Sequence, residues 1–157
     1  FDANRQAEIE AVKPVIERLK ETGWTFGSHT WGHIRLDSRP LESVQRDTVR
    51  WAEEVGSLVG PTNILFYPHG GRPDGDDWHS TGPVFQYLQS QGFRIFASVG
   101  INSFSYIKKD ISAVICDRLH PDGTTLRNGK ALEWYSQFYD AREIIDLDVR
   151  PDLGVTW

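Results

Sequence analysis

The spacing of apolar residues along the chain predicts helices that alternate with short strands. Between Leu41 and Leu58, apolar residues recur every three or four positions, which is typical of an amphipathic helix. The first helix contains Pro14, so we expect it to be kinked or to start late. The predicted helices cover 7–22, 41–58, 83–91 and 126–139. The predicted strands cover 24–28, 63–67, 93–99, 113–119 and 144–149.

Strands that alternate with helices predict an α/β fold built on a largely parallel sheet. In such folds, functional residues gather at the carboxyl ends of the strands. His29, His69 and His120 each follow a predicted strand closely. We therefore expect these side chains to lie at one edge of the sheet.

Composition and charge narrow the class of protein. The 157 residues fit a single globular domain over 1–157, with 39% hydrophobic and 25% charged residues. A net charge of −5 argues against nucleic acid as a partner, because phosphate binding needs a concentrated basic surface. No apolar run reaches the roughly 20 residues that a membrane helix needs. The single cysteine, Cys116, lies in an apolar run, which favours a buried inert thiol over a catalytic one.

His29 and His33 form the most informative motif, because their spacing of four residues lets both rings face one metal ion. No glutamate follows the first histidine, so this is not the zincin pattern. The alternative is a pair of histidines on a solvated loop. A catalytic metal site usually needs a third protein ligand, and the spacing singles out none. Candidates for that ligand are Asp2, Asp37, Asp117 and His120.

The stretch Ser28 to His33 resembles the second motif of the NodB-type polysaccharide deacetylases, carbohydrate esterase family four. That motif reads His-Ser/Thr-x-x-His after a helix and a short strand, and residues 17–33 match the whole segment. The resemblance implies that His29 and His33 bind a divalent metal, with zinc favoured. It also implies a distorted, incomplete (β/α) barrel of the NodB deacetylase type.

Residues 66–70 resemble the third motif of the same family, Arg-x-Pro-Tyr-Gly, in which Pro68 and Gly70 match. The resemblance implies that His69 offers its backbone N–H to the oxyanion of the reaction, and that Gly70 lies against the substrate. Phe66 occupies the place of the family's arginine, which orients the catalytic base. The alternative for this segment is an ordinary strand end.

Two further residues are candidates for the site. His120 loosely resembles the histidine of the family's last motif, which implies a general acid; the alternative is a solvated histidine in a turn. Trp78 lies in a long loop and could line a sugar groove, since aromatic faces suit sugar rings. A tryptophan folded onto the surface is the alternative there.

The family's first motif, Thr-Phe-Asp-Asp, which supplies the catalytic base and the third metal ligand, has no match in this chain. One explanation is that the N-terminal strand is missing from the chain; the other is a relative that no longer catalyses. The first predicts an open sheet edge beside 24–28, completed by an N-terminal segment or by another chain.

The resemblance as a whole implies metal-dependent hydrolysis of acetyl groups from N-acetylated sugars in a polysaccharide or oligosaccharide of the cell-wall or chitin type. The implied location is extracellular or in the cell envelope. One alternative is a non-catalytic carbohydrate-binding or cell-wall-associated domain on the same fold. Another is a metal hydrolase that acts on amides other than sugars.

Overall fold

The computed structural model describes residues 2–75, 82–99, 106–108, 112–118, 133 and 135–137. The chain divides into two compact units, Phe1–Arg118 and Leu119–Trp157. In the second unit, Glu133 and Tyr135 are helical, and the Ser136 hydroxyl donates to the carbonyl of Glu133. His120, Trp78 and the predicted strand over 144–149 lie outside the described residues.

The helices follow the apolar pattern closely. They are α1 (Asp2–Glu21), α2 (Leu41–Trp51), α3 (Ser57–Val59) and α4 (Pro83–Ser90). A π-helical turn at Ala52–Gly56 joins α2 to α3, so the predicted helix over 41–58 is one continuous helical segment. The late start expected for the first helix is wrong, because α1 begins before Pro14 and runs through it. Salt bridges between exposed side chains three residues apart, such as Lys13–Glu10 and Lys20–Glu17, accompany this helix.

Four strands form a small open sheet in the order β1-β2-β4-β3. The strands are β1 (Ile64–Phe66), β2 (Ile95–Val99), β3 (Tyr106–Lys108) and β4 (Ala113–Arg118). The pairs β1–β2 and β2–β4 are parallel, as predicted, whereas β3 runs antiparallel to β4. The strand β3 was not predicted, because three residues are too few to show an alternating pattern.

The core lies between the sheet and the helices α2 and α4. Leu65, Phe96 and Ile115 are buried and occupy paired positions on three adjacent strands. Phe85 of α4 packs on Phe96, with ring centroids 5.1 Å apart. Val44 of α2 belongs to the same buried cluster, so the sheet and both helices share one core.

The strand predicted over 24–28 is reduced to a single parallel bridge between Ser28 and Leu65. The Ser28 N–H donates to the Ile64 carbonyl at 2.9 Å, and the Phe66 N–H donates to the Ser28 carbonyl at 2.8 Å. Within the part of the chain that the structure describes, Ser28 forms a bridge on one side only, to Leu65. The sheet is therefore open on the other side of Ser28. The α/β class is therefore confirmed, while these residues form an open sheet and do not show a barrel.

Asp74 caps helix α4 from eight residues before its N-cap residue, Gly82. Its carboxylate accepts the N–H groups of Val84 and Phe85 at 3.1 and 2.8 Å, which are donors that the first turn leaves unpaired. We expect Asp74→Ala to lower the free energy of unfolding by about 1–2 kcal/mol. Asp74→Asn should cost less, because asparagine keeps one acceptor and tolerates the φ of 60° at this position.

Chemical denaturation of both variants measures this effect. Glu8→Ala, an exposed substitution on α1, is the control and should leave the unfolding curve unchanged. Equal stability of Asp74→Ala and the wild type would show that these two hydrogen bonds do not hold the start of α4.

No helix among the described residues is long and apolar enough to cross a membrane.

Candidate functional site

Three histidine rings lie together at the carboxyl edge of the sheet. His29 follows Ser28, and His69 follows β1, and these two segments are adjacent because Ser28 pairs with Leu65. The ring centroids of His29 and His33 are 4.9 Å apart, and those of His33 and His69 are 4.5 Å apart. The expected convergence of His29 and His69 at one edge is confirmed. We call these three side chains the histidine cluster.

The His29 ring is held by a hydrogen bond to the backbone. Its Nδ1 lies 2.5 Å from the carbonyl oxygen of Phe66. A carbonyl can only accept, so Nδ1 carries the hydrogen and Nε2 keeps its lone pair. Burial lowers the pKa of His29, and positive charge from Arg118 and the other two rings lowers it further, while the bond to Phe66 opposes this. The neutral ring is the form that binds metals.

The buried carboxylate of Asp47, on α2, holds the loop between the first two histidines. Asp47 Oδ1 accepts the Trp31 N–H at 2.9 Å, and Oδ2 accepts the Gly32 N–H at 2.7 Å. A Cβ at Gly32 would lie 3.1 Å from Oδ2, so glycine lets the backbone approach this closely. The two bonds fix the turn that brings His33 back towards His29.

Hydroxyl groups stabilise the same loop at both ends. The Ser28 hydroxyl accepts the Thr30 N–H at 3.2 Å, and the Thr30 hydroxyl accepts the Ile34 N–H at 3.1 Å. Thr30 and His33 both adopt left-handed backbone conformations, with φ of 59° and 51°. Conformations of this kind persist only where the surrounding structure enforces them, and they are often found at functional sites.

Sequence reasoning missed Asp47, although a signal was present. Asp47 lies three residues after Val44 and four before Trp51, and all three are buried on one face of α2. A carboxylate in the middle of an apolar stripe needs donors nearby, because burying an unpaired charge is costly. The apolar stripe of α2 thus contains one carboxylate, Asp47, whose partners are the N–H groups of Trp31 and Gly32.

The segment after β1 forms a tight turn that places His69 in the histidine cluster. Pro68–Gly70 is one turn of 3-10 helix, in which His69 has a φ of 57°. Gly70 has a φ of 66° and lies next to Ser98 and Val99 at the end of β2. The structure therefore places Gly70 at the same edge of the sheet. The roles predicted for the His69 N–H and for Gly70 stay predictions.

Arg118 brings a positive charge to this edge from the end of β4. Its guanidinium carbon lies 5.9 Å from the centroid of the Phe66 ring. Its Nε is buried and has no hydrogen-bond partner among the described residues. Phe66 stands where the resembling motif has an arginine. The guanidinium of Arg118, from another strand, lies over the Phe66 ring. Sequence reasoning did not single out Arg118, because it is distant in the chain.

Trp31 is an exposed aromatic side chain in the loop between His29 and His33. The guanidinium of Arg50 lies 3.5 Å from its ring centroid, and its indole N–H donates to Glu54 at 3.0 Å. Glu54 also accepts hydrogen bonds from Arg50 and Arg5 at 2.8 and 2.7 Å. These contacts hold the indole in one orientation while 42% of the residue stays exposed.

Among the described residues, neither Asp37 nor Asp117, both proposed as a third metal ligand, forms a metal-holding group with the histidines. Asp37 is bound by Arg35 through two hydrogen bonds, which lower the pKa of Asp37. The side chain of Asp2 and all of His120 lie outside what the structure describes. Within the described ranges, no three histidine, cysteine, aspartate or glutamate side chains are arranged to hold an ion. His29 and His33 fit a metal as a pair, since Nε2 of His29 keeps its lone pair beside the second ring.

The sequence predicts a buried, inert thiol at Cys116, whereas the structure leaves this residue partly exposed. It lies on β4, half-buried, with its sulfur 3.8 Å from the Phe96 carbonyl. Burial raises the pKa of this thiol, and the neighbouring Asp117 raises it further. A raised pKa leaves little of the reactive thiolate at neutral pH.

In α/β enzymes, functional residues gather at the carboxyl edge of parallel strands, which is where the histidine cluster lies. The family model of the polysaccharide deacetylases matches residues 3–94, which is more than half of the chain. The chain therefore belongs to the polysaccharide deacetylase family, and the match includes the whole histidine cluster. No curated protein and no solved structure matches it. Membership supports a deacetylase-type, hydrolytic function in carbohydrate metabolism.

Proposed function

We propose that this protein is a metal-dependent hydrolase that removes acetyl groups from N-acetylated sugars in a polysaccharide or oligosaccharide. The observation that carries the proposal is the His29–His33 pair. One ring is locked by Phe66 with Nε2 free, and the second ring lies 4.9 Å away on a loop held by Asp47. Membership of the polysaccharide deacetylase family supplies the reaction class.

The residues of the chain divide the chemistry among them. His29 and His33 hold a divalent metal, with zinc favoured for nitrogen ligands. When bound, the metal would polarise an acetyl carbonyl and lower the pKa of water. The base that would take the proton of this water belongs to the family's first motif, which has no match in this chain. The His69 N–H donates to the developing oxyanion, with Gly70 beside it on the substrate side. His120, the predicted general acid for the leaving amine, and Trp78, the predicted lining of a sugar groove, both lie outside the described residues.

We also propose that the open sheet is part of an incomplete (β/α) barrel. The parallel pair β1–β2 with α4 as its crossover is the repeating unit of such a barrel, which supports the assignment. An N-terminal segment or another chain would complete the sheet beside Ser28. The proposed substrate class favours a location outside the cell or in the cell envelope.

Acetate release tests the reaction. The full-length protein, loaded with Zn²⁺, is incubated with an N-acetylated chitooligosaccharide and, separately, with peptidoglycan. Acetate is then quantified for the wild type and for His33→Ala. We expect release that depends on added metal and is lost in the variant. Bound metal without any release would contradict the proposal.

That contrary outcome would favour the second candidate, a non-catalytic carbohydrate-binding domain. Phe66 motivates this candidate, because it replaces the arginine that the resembling motif uses to orient a base. Binding of the oligosaccharide, measured by calorimetry in the same samples, separates a binding domain from a protein with no carbohydrate ligand.

A further inference from the structure

We infer that the imidazole of His69 is a metal ligand, so that His29, His33 and His69 form a three-histidine site. The inference rests on the proposed metal site and deepens it. It assigns to the His69 side chain a role separate from that of its backbone N–H. It also supplies a third ligand from the described part of the chain.

Two of the three ring-to-ring separations are close to those of imidazoles that share one ion. Two imidazoles on one tetrahedral zinc, each at a Zn–N distance of about 2.0–2.1 Å, have centroids roughly 5 Å apart. The centroid distances are 4.9 Å for His29–His33 and 4.5 Å for His33–His69. The ring planes are inclined at 75° and 71°, so the rings meet edge to face and are not stacked.

The backbone directs two of these rings into the cluster from unfavourable conformations. His33 and His69 both have left-handed φ values, of 51° and 57°. Glycine would adopt this conformation without steric cost, so a bulky side chain there needs support from its surroundings. For His33, that support comes from Asp47, which fixes the two preceding residues.

Two carboxylates of the described chain are held by other partners. Asp37 is held by Arg35, and Asp47 by two backbone N–H groups. His69 is the further metal-binding side chain of the histidine cluster, with its ring centroid 4.5 Å from that of His33. The site would then have three neutral nitrogen ligands, which favour zinc, copper or nickel over magnesium or calcium.

As the described residues stand, the three rings do not make a group that could hold an ion, so binding requires side-chain rotation. His29 is fixed by Phe66, whereas His33 and His69 are both exposed. Their rings can turn without repacking the core. The ion would thus order the two exposed rings around the one that is already held.

The test measures metal affinity of the purified chain by competition with a chromophoric chelator. The variants are His69→Asn, which tolerates the left-handed backbone, and His69→Gly, which removes the ring and relieves the strain. We expect both to weaken Zn²⁺ binding by about tenfold to a hundredfold or more. In the Co²⁺-loaded protein, loss of a nitrogen ligand should also change the visible absorption spectrum.

Two reference variants make the outcomes distinguishable. Asp74→Asn places the same residue at another left-handed position and should leave metal affinity unchanged. His33→Ala tests the proposed pair. Unchanged Zn²⁺ affinity and Co²⁺ spectrum in both His69 variants, with a loss in His33→Ala, would overturn this inference and leave the proposed function standing. Unchanged affinity in all three would overturn the metal site itself.

Discussion

Replacing His33 with alanine is expected to lower the affinity for Zn²⁺ by about a hundredfold or more and to abolish metal-dependent acetate release. Removing an outer-shell partner of a metal ligand already costs tenfold to a hundredfold in affinity, so loss of the ligand itself should cost at least as much. His33 is exposed, so its truncation removes no core packing. Equilibrium competition for Zn²⁺ gives the affinity directly.

Arg39→Ala is the matched control for this substitution, since Arg39 is an exposed residue of the same connection between Ser28 and α2. It should bind Zn²⁺ like the wild type. Thermal unfolding in the presence of a chelator separates lost affinity from lost structure. Wild-type metal content in a folded His33→Ala protein would show that the pair is not a metal site.

The position of the site could be predicted because it depends on topology alone. Parallel strands end at a common edge, so residues that follow two neighbouring strands must meet there. His29 and His69 needed only that argument, and their rings lie in one cluster with His33. The helices α2 and α4 were predicted for a similar reason, since a long or well-bounded apolar stripe has few other solutions.

The internal order of the site could not be predicted, because it depends on long-range polar contacts. Asp47 contacts residues 15 and 16 positions earlier, and His29 bonds to a carbonyl 37 positions later. No local pattern records such partners. The strand predicted over 24–28 is also shorter than expected. Its apolar residues indicated a strand, but only Ser28 forms a bridge to a neighbouring strand, at Leu65.

The described groups at the carboxyl edge of the sheet include the guanidinium of Arg118 and the three rings of the histidine cluster. Arg118 and the histidine rings lower the pKa of His29, so this edge disfavours additional positive charge on the ring. The lowered pKa favours the neutral form of the His29 ring, which is the form that binds a metal. Arg118 lies over the ring of Phe66, which stands where the resembling motif has an arginine, so β4 brings a guanidinium close to that position.

Replacing Asp47 with alanine is expected to weaken both the fold and the metal site. The substitution removes two charge-assisted hydrogen bonds and leaves the N–H groups of Trp31 and Gly32 without their acceptors. We expect the free energy of unfolding to fall by about 2–3 kcal/mol. We expect Zn²⁺ affinity to fall by about tenfold to a hundredfold, because Asp47 orients the loop without touching the ion.

Asp47→Asn should fall between the wild type and Asp47→Ala. The asparagine amide has one oxygen, which can accept one of the two loop N–H groups. Its NH₂ group would face the second N–H, and two donors cannot form a hydrogen bond. Arg46→Ala, an exposed substitution next in sequence on α2, is the control for both measurements. If Asp47→Ala lowers stability in denaturation experiments but binds Zn²⁺ like the wild type, the carboxylate stabilises the fold without setting the loop. If Zn²⁺ affinity falls together with the loop hydrogen bonds, the spacing of His29 and His33 depends on Asp47 of α2 as well as on the loop that contains them.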